Sequence, residues 1–109
     1  MNLIRLDRSD ALLVAASGQI DHASADAFLA SLQAMLAAAP VRGPLVLDIS
    51  GVDYISSAGL RALMVVARQA GRMGVTGLQP LVREVFAIAR FELIVPCFPD
   101  ADAAVKALA

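Results

Sequence analysis

Two short apolar runs open the chain, and a polar segment separates them. Residues 2–7 read NLIRLD and residues 11–17 read ALLVAAS, with Arg8, Ser9 and Asp10 between them. Short apolar runs that are bounded by polar turn residues are typical of β-strands. We therefore predict two strands that pair with each other as a hairpin.

The spacing of apolar residues then changes to that of a helix. Ser24 is a suitable N-cap for a helix over residues 24–38, and Pro40 follows its end. The large apolar side chains of this segment recur about once per helical turn, as expected for an amphipathic helix. They are Phe28, Leu32, Met35 and Leu36.

An apolar run in the middle of the chain predicts a central strand. Residues 44–49 read PLVLDI, which is apolar enough for burial on both faces of a parallel sheet. Residues 50–56 (SGVDYIS) are too mixed to extend this strand. A helical period then restarts, and we predict a second helix that begins close to Ser57. Its apolar positions are Leu60, Leu63, Met64 and Ala67.

The last third of the chain continues to alternate between strands and helices. Residues 73–78 predict a strand interrupted by glycine, and Pro80 opens a third helix. Residues 93–97 predict a short strand, and a last helix begins at about Asp100. The buried stripe of the third helix is expected to consist of Leu81, Val82, Val85, Phe86 and Ala89.

The predicted order of elements is β-β-α-β-α-β-α-β-α. Such alternation predicts an α/β fold with a mostly parallel central β-sheet of 4–5 strands, flanked by about four α-helices. The first two strands add an N-terminal β-hairpin. The sequence contains no internal repeat or linker-like stretch, so we expect residues 1–109 to form a single domain.

Composition narrows the classes of protein to consider. Hydrophobic residues make up 59% of the chain and charged residues 17%, which leaves apolar side chains available for a partner surface. No stretch suits a membrane span, and a single cysteine fits a reducing cytoplasm. The net charge is −1 and the arginines are scattered, whereas a nucleic-acid binder carries a basic footprint. We therefore expect a cytoplasmic protein with no membrane span and no nucleic-acid partner.

Candidate catalytic and metal-binding residues are few. The chain has one histidine, His22, and one cysteine, Cys97, which are too few to build a metal site from these ligands. Asp21 is adjacent to His22, and sequence neighbours seldom provide the geometry of a catalytic triad. We therefore expect no enzymatic activity, no metal and no cofactor, with His22 in a solvent-facing loop and Cys97 in the core.

Residues 48–61 (DISGVDYISSAGLR) are the best candidate for a functional loop. They follow a predicted parallel strand and continue into a helix, where open α/β sheets place their functional loops. Ser57 could simply cap that helix. A phosphate on Ser57 would also be tolerated, because a helix N-terminus favours an anion, and its charge would lie near Asp21 and Asp53. Both roles stay open. The surface that such a charge would alter is formed by Tyr54, Ile55, Ala58 and Leu60.

Three stretches of the sequence, LVLDISGVDYISSAGLRAL, SGQIDHASADAF and GLQPLVREVFAIARFE, share one resemblance. They resemble the phosphorylation-site region, the strand-to-helix loop and the third helix of STAS-domain anti-anti-sigma factors, also called anti-sigma factor antagonists. The resemblance implies a STAS-like fold and a phosphoacceptor at Ser57, with Gly59 and Leu60 behind it. Many members carry aspartate where this chain has Ser56, which makes Ser56 the second choice. The acidic loop residue of the family corresponds to Asp21.

The resemblance also implies a partner-switching function. The unphosphorylated protein would bind an anti-sigma factor with serine-kinase activity and thereby free a sigma factor. Phosphorylation of Ser57 with ATP would release the antagonist, and a metal-dependent serine phosphatase would reset it. The expected partner-binding residues are Asp21, His22, Asp53, Tyr54, Ile55, Ser56, Ser57, Ala58, Gly59 and Leu60.

Two other classes of function remain open. The chain could be a STAS interaction subunit of a transport, lipid-trafficking or sensory complex that does not act on a sigma factor. It could also be a small-ligand or nucleotide-binding domain, or an enzyme, with a pocket at the strand ends. The lack of converging polar groups in the sequence argues against this last class.

Overall fold

The structure is a computed structural model that describes residues 1–6, 8–38 and 43–109. Within these ranges it contains five strands and four α-helices. The strands are β1 (Asn2–Leu6), β2 (Leu12–Ile20), β3 (Leu45–Ile55), β4 (Met73–Thr76) and β5 (Cys97–Phe98). The helices are α1 (Ala25–Ala38), α2 (Ser57–Ala70), α3 (Pro80–Ala89) and α4 (Ala101–Leu108).

The strands form one sheet in the order β1-β2-β3-β4-β5. β1 pairs with β2 in the antiparallel sense, and the other three pairs of neighbouring strands are parallel. This arrangement confirms the predicted α/β class, the mostly parallel sheet and the N-terminal hairpin. Of the residues in the predicted first strand, Asp7 lies outside the described ranges, as does Pro40 after α1.

Helices cover the two faces of the sheet unequally. Along β3, Leu45 and Leu47 point into the larger core, and Val46 between them points to the other face. This alternation is expected of a strand that is buried on both sides. The larger core includes side chains of α1, α2 and α3, whereas the smaller core contains Ala104 and Val105 of α4.

β3 is longer than the sequence predicted. Two bulges explain the difference, because they alter the pattern of buried side chains on which the prediction relied. Its pairing with β2 shifts register twice, and at each shift β3 contains one more residue than β2. Bulges disturb the alternation of inward and outward side chains. Ile49, Val52 and Ile55 are consequently buried at every third position. The expectation that residues 50–56 do not extend the strand is therefore wrong.

The predicted strand over residues 93–97 is also misplaced. Arg90 has a left-handed backbone with φ 52° and ends α3, and the chain continues into a 3-10 turn at Phe91–Leu93. Leu93 is 79% exposed there. β5 begins only at Cys97. The apolar run therefore belongs to a turn and a connecting segment.

The third helix begins at Pro80 as predicted, with a narrower buried stripe. Val82 and Phe86 are buried and Val85 is half-buried. Leu81 is 51% exposed and Ala89 is also exposed, so both were wrongly assigned to that stripe. None of the helices in the described ranges is both long and apolar enough to cross a membrane.

Candidate functional site

The first turn of α2 is fixed by Ser56 and not by Ser57. The Ser56 hydroxyl oxygen accepts a hydrogen bond from the Gly59 N–H at 3.2 Å, as an N-cap does. The Ser56 N–H in turn donates to the carbonyl oxygen of Ile20 at 2.8 Å. Ser56 therefore joins the start of the helix to the end of β2.

Ser57 is the first residue of α2, and its side chain is exposed. In the part of the chain that the structure describes, its hydroxyl makes no hydrogen bond. The first N–H groups of a helix lack partners within the helix and form its positive end. The sequence analysis left capping open for Ser57, and the structure assigns capping to its neighbour Ser56.

Gly59 brings the first turn of α2 directly against the ends of β2 and β3. A Cβ atom on Gly59 would lie 2.8 Å from both Ile20 Cγ2 and Ile55 Cγ1. Ile55 is only 2% exposed, and Gly59 is also buried. The placement of these two residues on an exposed partner surface is therefore wrong. Both residues lie in the core beneath that surface. Ile55 is buried there as the last residue of β3.

The other predicted surface residues do lie together around Ser57. In the pairing of β2 with β3, Gln19 is opposite Tyr54, so the loops that follow the two strands are neighbours. Asp21 and His22 begin the first of these loops. Tyr54 is 41% exposed. Asp53 and His22 are exposed, and Ala58 and Leu60 are half-buried.

Asp21 fixes the loop before α1 by a reciprocal pair of hydrogen bonds. Its carboxylate Oδ1 accepts from the Ser24 N–H at 2.9 Å, and the Ser24 hydroxyl accepts from the Asp21 N–H at 3.0 Å. This is the pattern of a capping box, with the roles opposite to the prediction that Ser24 is the cap. Hydrogen bonding from Ser24, first from its N–H and then from its side chain, holds the pKa of the Asp21 carboxyl below its usual value. Asp21 is therefore a fixed negative charge beside the start of α2.

A groove of about 200 Å³ lies between α1 and α2, next to Ser57. Ala58 and Ala62 leave it open, because their side chains are small. The sequence analysis missed its charged residues, Asp26 and Arg61, although the spacing of four residues between Ser57 and Arg61 is visible in the sequence. The groove is lined by His22, Ala25, Asp26, Leu29, Ala58, Arg61, Ala62 and Val65.

The remaining candidates for chemistry give no catalytic constellation. Cys97 is half-buried at a second cavity of about 490 Å³, and burial raises the pKa of its thiol. A thiol with a raised pKa is a weak nucleophile at neutral pH. Among the residues with described positions, no group of three or more histidine, cysteine, aspartate or glutamate side chains could hold a metal ion.

Comparison with known proteins gives a consistent family. The family model described as "Mlab, STAS domain" matches residues 4–96. BtrV of Bordetella bronchiseptica, which is named as an anti-sigma factor antagonist, is 39% identical over 111 residues. The match covers 95% of this chain and 92% of BtrV.

Solved structures show the same fold. The crystal structure of an anti-sigma factor antagonist from Mycobacterium paratuberculosis has a TM-score of 0.84 at 26% identity, covering 98% of this chain and 92% of that one. SpoIIAA of Bacillus matches at 14% identity in its unphosphorylated form, with a TM-score of 0.74 over 97% of this chain and 94% of that one. Its phosphorylated form matches with a TM-score of 0.65 over 97% of each chain. Because the family model covers most of the chain and BtrV matches nearly all of it, this protein belongs to the STAS-domain family that includes the anti-sigma factor antagonists.

Proposed function

We propose that this protein is an anti-sigma factor antagonist that works in a partner-switching cycle. Its unphosphorylated form binds an anti-sigma factor with serine-kinase activity, and the sigma factor is freed. The observation that carries the proposal is the hydroxyl of Ser57 at the first residue of α2, which is exposed and makes no hydrogen bond with any residue that the structure describes. The names of BtrV and of the M. paratuberculosis protein support the same function.

In the proposed cycle the protein is a substrate and a ligand, and its partners are the enzymes. The kinase transfers the γ-phosphoryl group of ATP to the Ser57 oxygen, the hydroxyl proton is lost, and ADP leaves. A metal-dependent serine phosphatase later hydrolyses this phosphate ester with water and releases inorganic phosphate. ATP and the metal ion therefore belong to the partners, and the whole cycle takes place in the cytoplasm.

The local geometry favours Ser57 over Ser56 as the phosphoacceptor. The Ser56 side chain is half-buried, and its oxygen already accepts the Gly59 N–H. A kinase would have to break this cap to reach Ser56, at a cost of about 1 kcal/mol. Ser57 is exposed, and its hydroxyl does not take part in the cap of α2. A kinase can therefore reach this hydroxyl while the first turn of α2 stays intact.

Phosphorylation can prevent binding without unfolding the protein. A phosphoserine adds about 1.5 to 2 negative charges at neutral pH, and the N-terminus of α2 tolerates an anion. Asp21 and Asp53 already make the surroundings negative. A partner that covers Tyr54 and Leu60 would then have to bury an added charge, which is costly without a matching cation.

The proposed partner surface surrounds Ser57. It includes the two neighbouring loops and the exposed end of β3, while Ile55 and Gly59 hold it in place from the core. Its exposed or half-buried members are Asp21, His22, Asp53, Tyr54, Ser56, Ser57, Ala58 and Leu60.

Two measurements test the proposal. The protein is first incubated with ATP and lysate of its source cells, and phosphopeptides are mapped by mass spectrometry. Calorimetric titrations of the purified kinase partner then compare Ser57→Ala, Ser57→Asp and Ser31→Asp, the last of which adds the same charge on an exposed serine of α1. We expect phosphate on Ser57, normal binding by Ser57→Ala and Ser31→Asp, and at least tenfold weaker binding by Ser57→Asp. Equal affinities for all three, with an unmodified Ser57, would instead favour an interaction subunit of a transport, lipid-trafficking or sensory complex.

A further inference from the structure

Arg61 lies one helical turn after Ser57 on α2. Side chains four residues apart on a helix are neighbours, with Cβ atoms roughly 5–6 Å apart. Arg61 is exposed, and no hydrogen bond or ion pair of its guanidinium is formed with any described residue. The ion pairs within 4.0 Å in the described ranges all involve Arg8. The guanidinium of Arg61 is therefore available to a new anion.

The position of Arg61 is distinct among the basic residues around Ser57. Between Leu45 and Arg68 the sequence contains no other lysine or arginine. Arg68 is almost two turns further along α2, where its guanidinium contacts the Sδ atom of Met64 at 3.7 Å. His22 lines the same groove as Arg61 from the side of α1.

The charges around this groove indicate which anion Arg61 can hold. Asp26 is the carboxylate that lines the groove together with Arg61, yet the two side chains do not form an ion pair among the described contacts. Asp21 is committed to Ser24 through its hydrogen bonds. A phosphate carries more charge than either carboxylate and can accept two parallel N–H bonds from a guanidinium.

We propose that Arg61 is the internal counter-ion of phosphorylated Ser57, and that the pair forms along α2 at the mouth of the groove between α1 and α2. The inference rests on the proposed function for its choice of Ser57 as the modified residue. An anion that precedes its cation by four residues has the favourable orientation relative to the helix dipole. Arg61 lines the groove together with Ala58, the residue that follows Ser57, and the side chains of Ser57 and Arg61 are both exposed.

This pair would change the partner surface in a second way besides adding the phosphate. In the unphosphorylated protein, Arg61 is exposed beside the partner surface, has no ion pair among the described residues, and can attract an acidic group of the partner. After phosphorylation the same cation is bound to the phosphate within the molecule. The surface therefore loses the positive charge of Arg61 as a contact for the partner, and the pair still leaves a net negative charge beside Ser57.

The test uses protein in which phosphoserine is installed at position 57 by genetic encoding, so that no kinase is needed. The phosphate is titrated by ³¹P NMR in the parent, in Arg61→Gln and in Arg68→Gln, the matched control on the same helix. We expect the phosphate of the parent and of Arg68→Gln to titrate about 0.3 pH unit or more below that of Arg61→Gln. Arg61→Lys should restore part of the difference.

The same three phosphorylated proteins are compared in thermal unfolding with their unphosphorylated forms. We expect the change in Tm on phosphorylation to be less favourable in Arg61→Gln than in the parent or in Arg68→Gln. Identical phosphate titrations in the parent and in Arg61→Gln would overturn the role of Arg61. This failure is separate from that of the proposed function, which depends on the lysate and binding experiments.

Discussion

Gly59 packs so closely against Ile20 that a Cβ atom at Gly59 would lie 2.9 Å from the Ile20 carbonyl oxygen. That oxygen also accepts the Ser56 N–H at 2.8 Å. The end of β2 thus holds the start of α2 at two points, on either side of Ser57. The exposed hydroxyl of Ser57 therefore lies between two residues, Ser56 and Gly59, that contact the end of β2.

Replacing Gly59 by alanine should destabilise the protein, although alanine is the better helix former. The helix would gain about 1 kcal/mol in propensity. The new methyl group would meet the Ile20 carbonyl, which is backbone and cannot turn aside, and overpacking of this kind costs about 1–3 kcal/mol. We expect a net loss of about 1 kcal/mol in urea unfolding. Arg68→Gln, an exposed change in the same helix, should stay within about 0.5 kcal/mol, and a more stable Gly59→Ala would contradict the packing argument.

The two adjacent serines should differ in their effect on stability. Ser56→Ala removes the side-chain oxygen that accepts the Gly59 N–H, and loss of such a cap costs about 0.5–2 kcal/mol. Ser57→Ala removes an exposed hydroxyl without a partner and should change the free energy of unfolding by less than about 0.5 kcal/mol. Urea unfolding of both variants measures this difference. Losses of equal size would mean that the capping role is wrongly assigned.

Stability should fall with acid partly because of Asp21. Hydrogen bonds from Ser24 lower the pKa of its carboxyl in the folded state. The ionised form therefore stabilises the fold above the unfolded pKa of about 4, and this contribution is lost as the pH falls through the folded pKa. Asp21→Asn can still accept the bond from the Ser24 N–H but cannot titrate, so its stability should depend less on pH below about 5.

A matched control separates the charge of Asp21 from the packing of its loop. Ser24→Ala removes the hydroxyl of the reciprocal pair and leaves the Ser24 N–H that donates to the carboxylate. It should lower stability at every pH and keep most of the acid dependence. Urea midpoints measured from pH 3 to 7 distinguish the two variants. Parallel curves for Asp21→Asn and the parent would rule out this contribution of the carboxylate.

The sequence was sufficient to predict the order of the elements, because strands and helices differ in the period of their apolar residues. It could not show how far β3 extends. Two bulges change the burial of Ile49, Val52 and Ile55 to every third residue, a pattern that matches neither a regular strand nor a helix. The left-handed backbone at Arg90 could not be predicted either, because this conformation usually indicates glycine and the residue here is arginine.

Some features of the candidate site depend on neighbouring residues in the sequence, and others depend on how distant segments pack. The serine and glycine at the start of α2 form a local motif, and so the position of Ser57 at the beginning of this helix could be predicted from sequence alone. Whether Ile55 faces the core depends on the end of β3. The groove beside Arg61 depends on the packing of α1 against α2, which joins residues far apart in the chain. Long-range contacts therefore decide which residues around Ser57 are available to a partner.

Cys97 should be a slow nucleophile in the folded protein. Burial, and to a smaller extent the negative charge of Glu92, raises the pKa of its thiol, and the positive charge of Arg83 opposes this shift. At neutral pH a smaller fraction of the thiol is then present as the reactive thiolate.

Alkylation of Cys97 by iodoacetamide at pH 7 should be several-fold slower than that of a small free thiol and should accelerate in urea. The raised pKa further predicts that alkylation of the folded protein continues to speed up above the pH at which a free thiol levels off. Faster alkylation in the folded than in the unfolded protein would contradict this prediction and would indicate an activated cysteine.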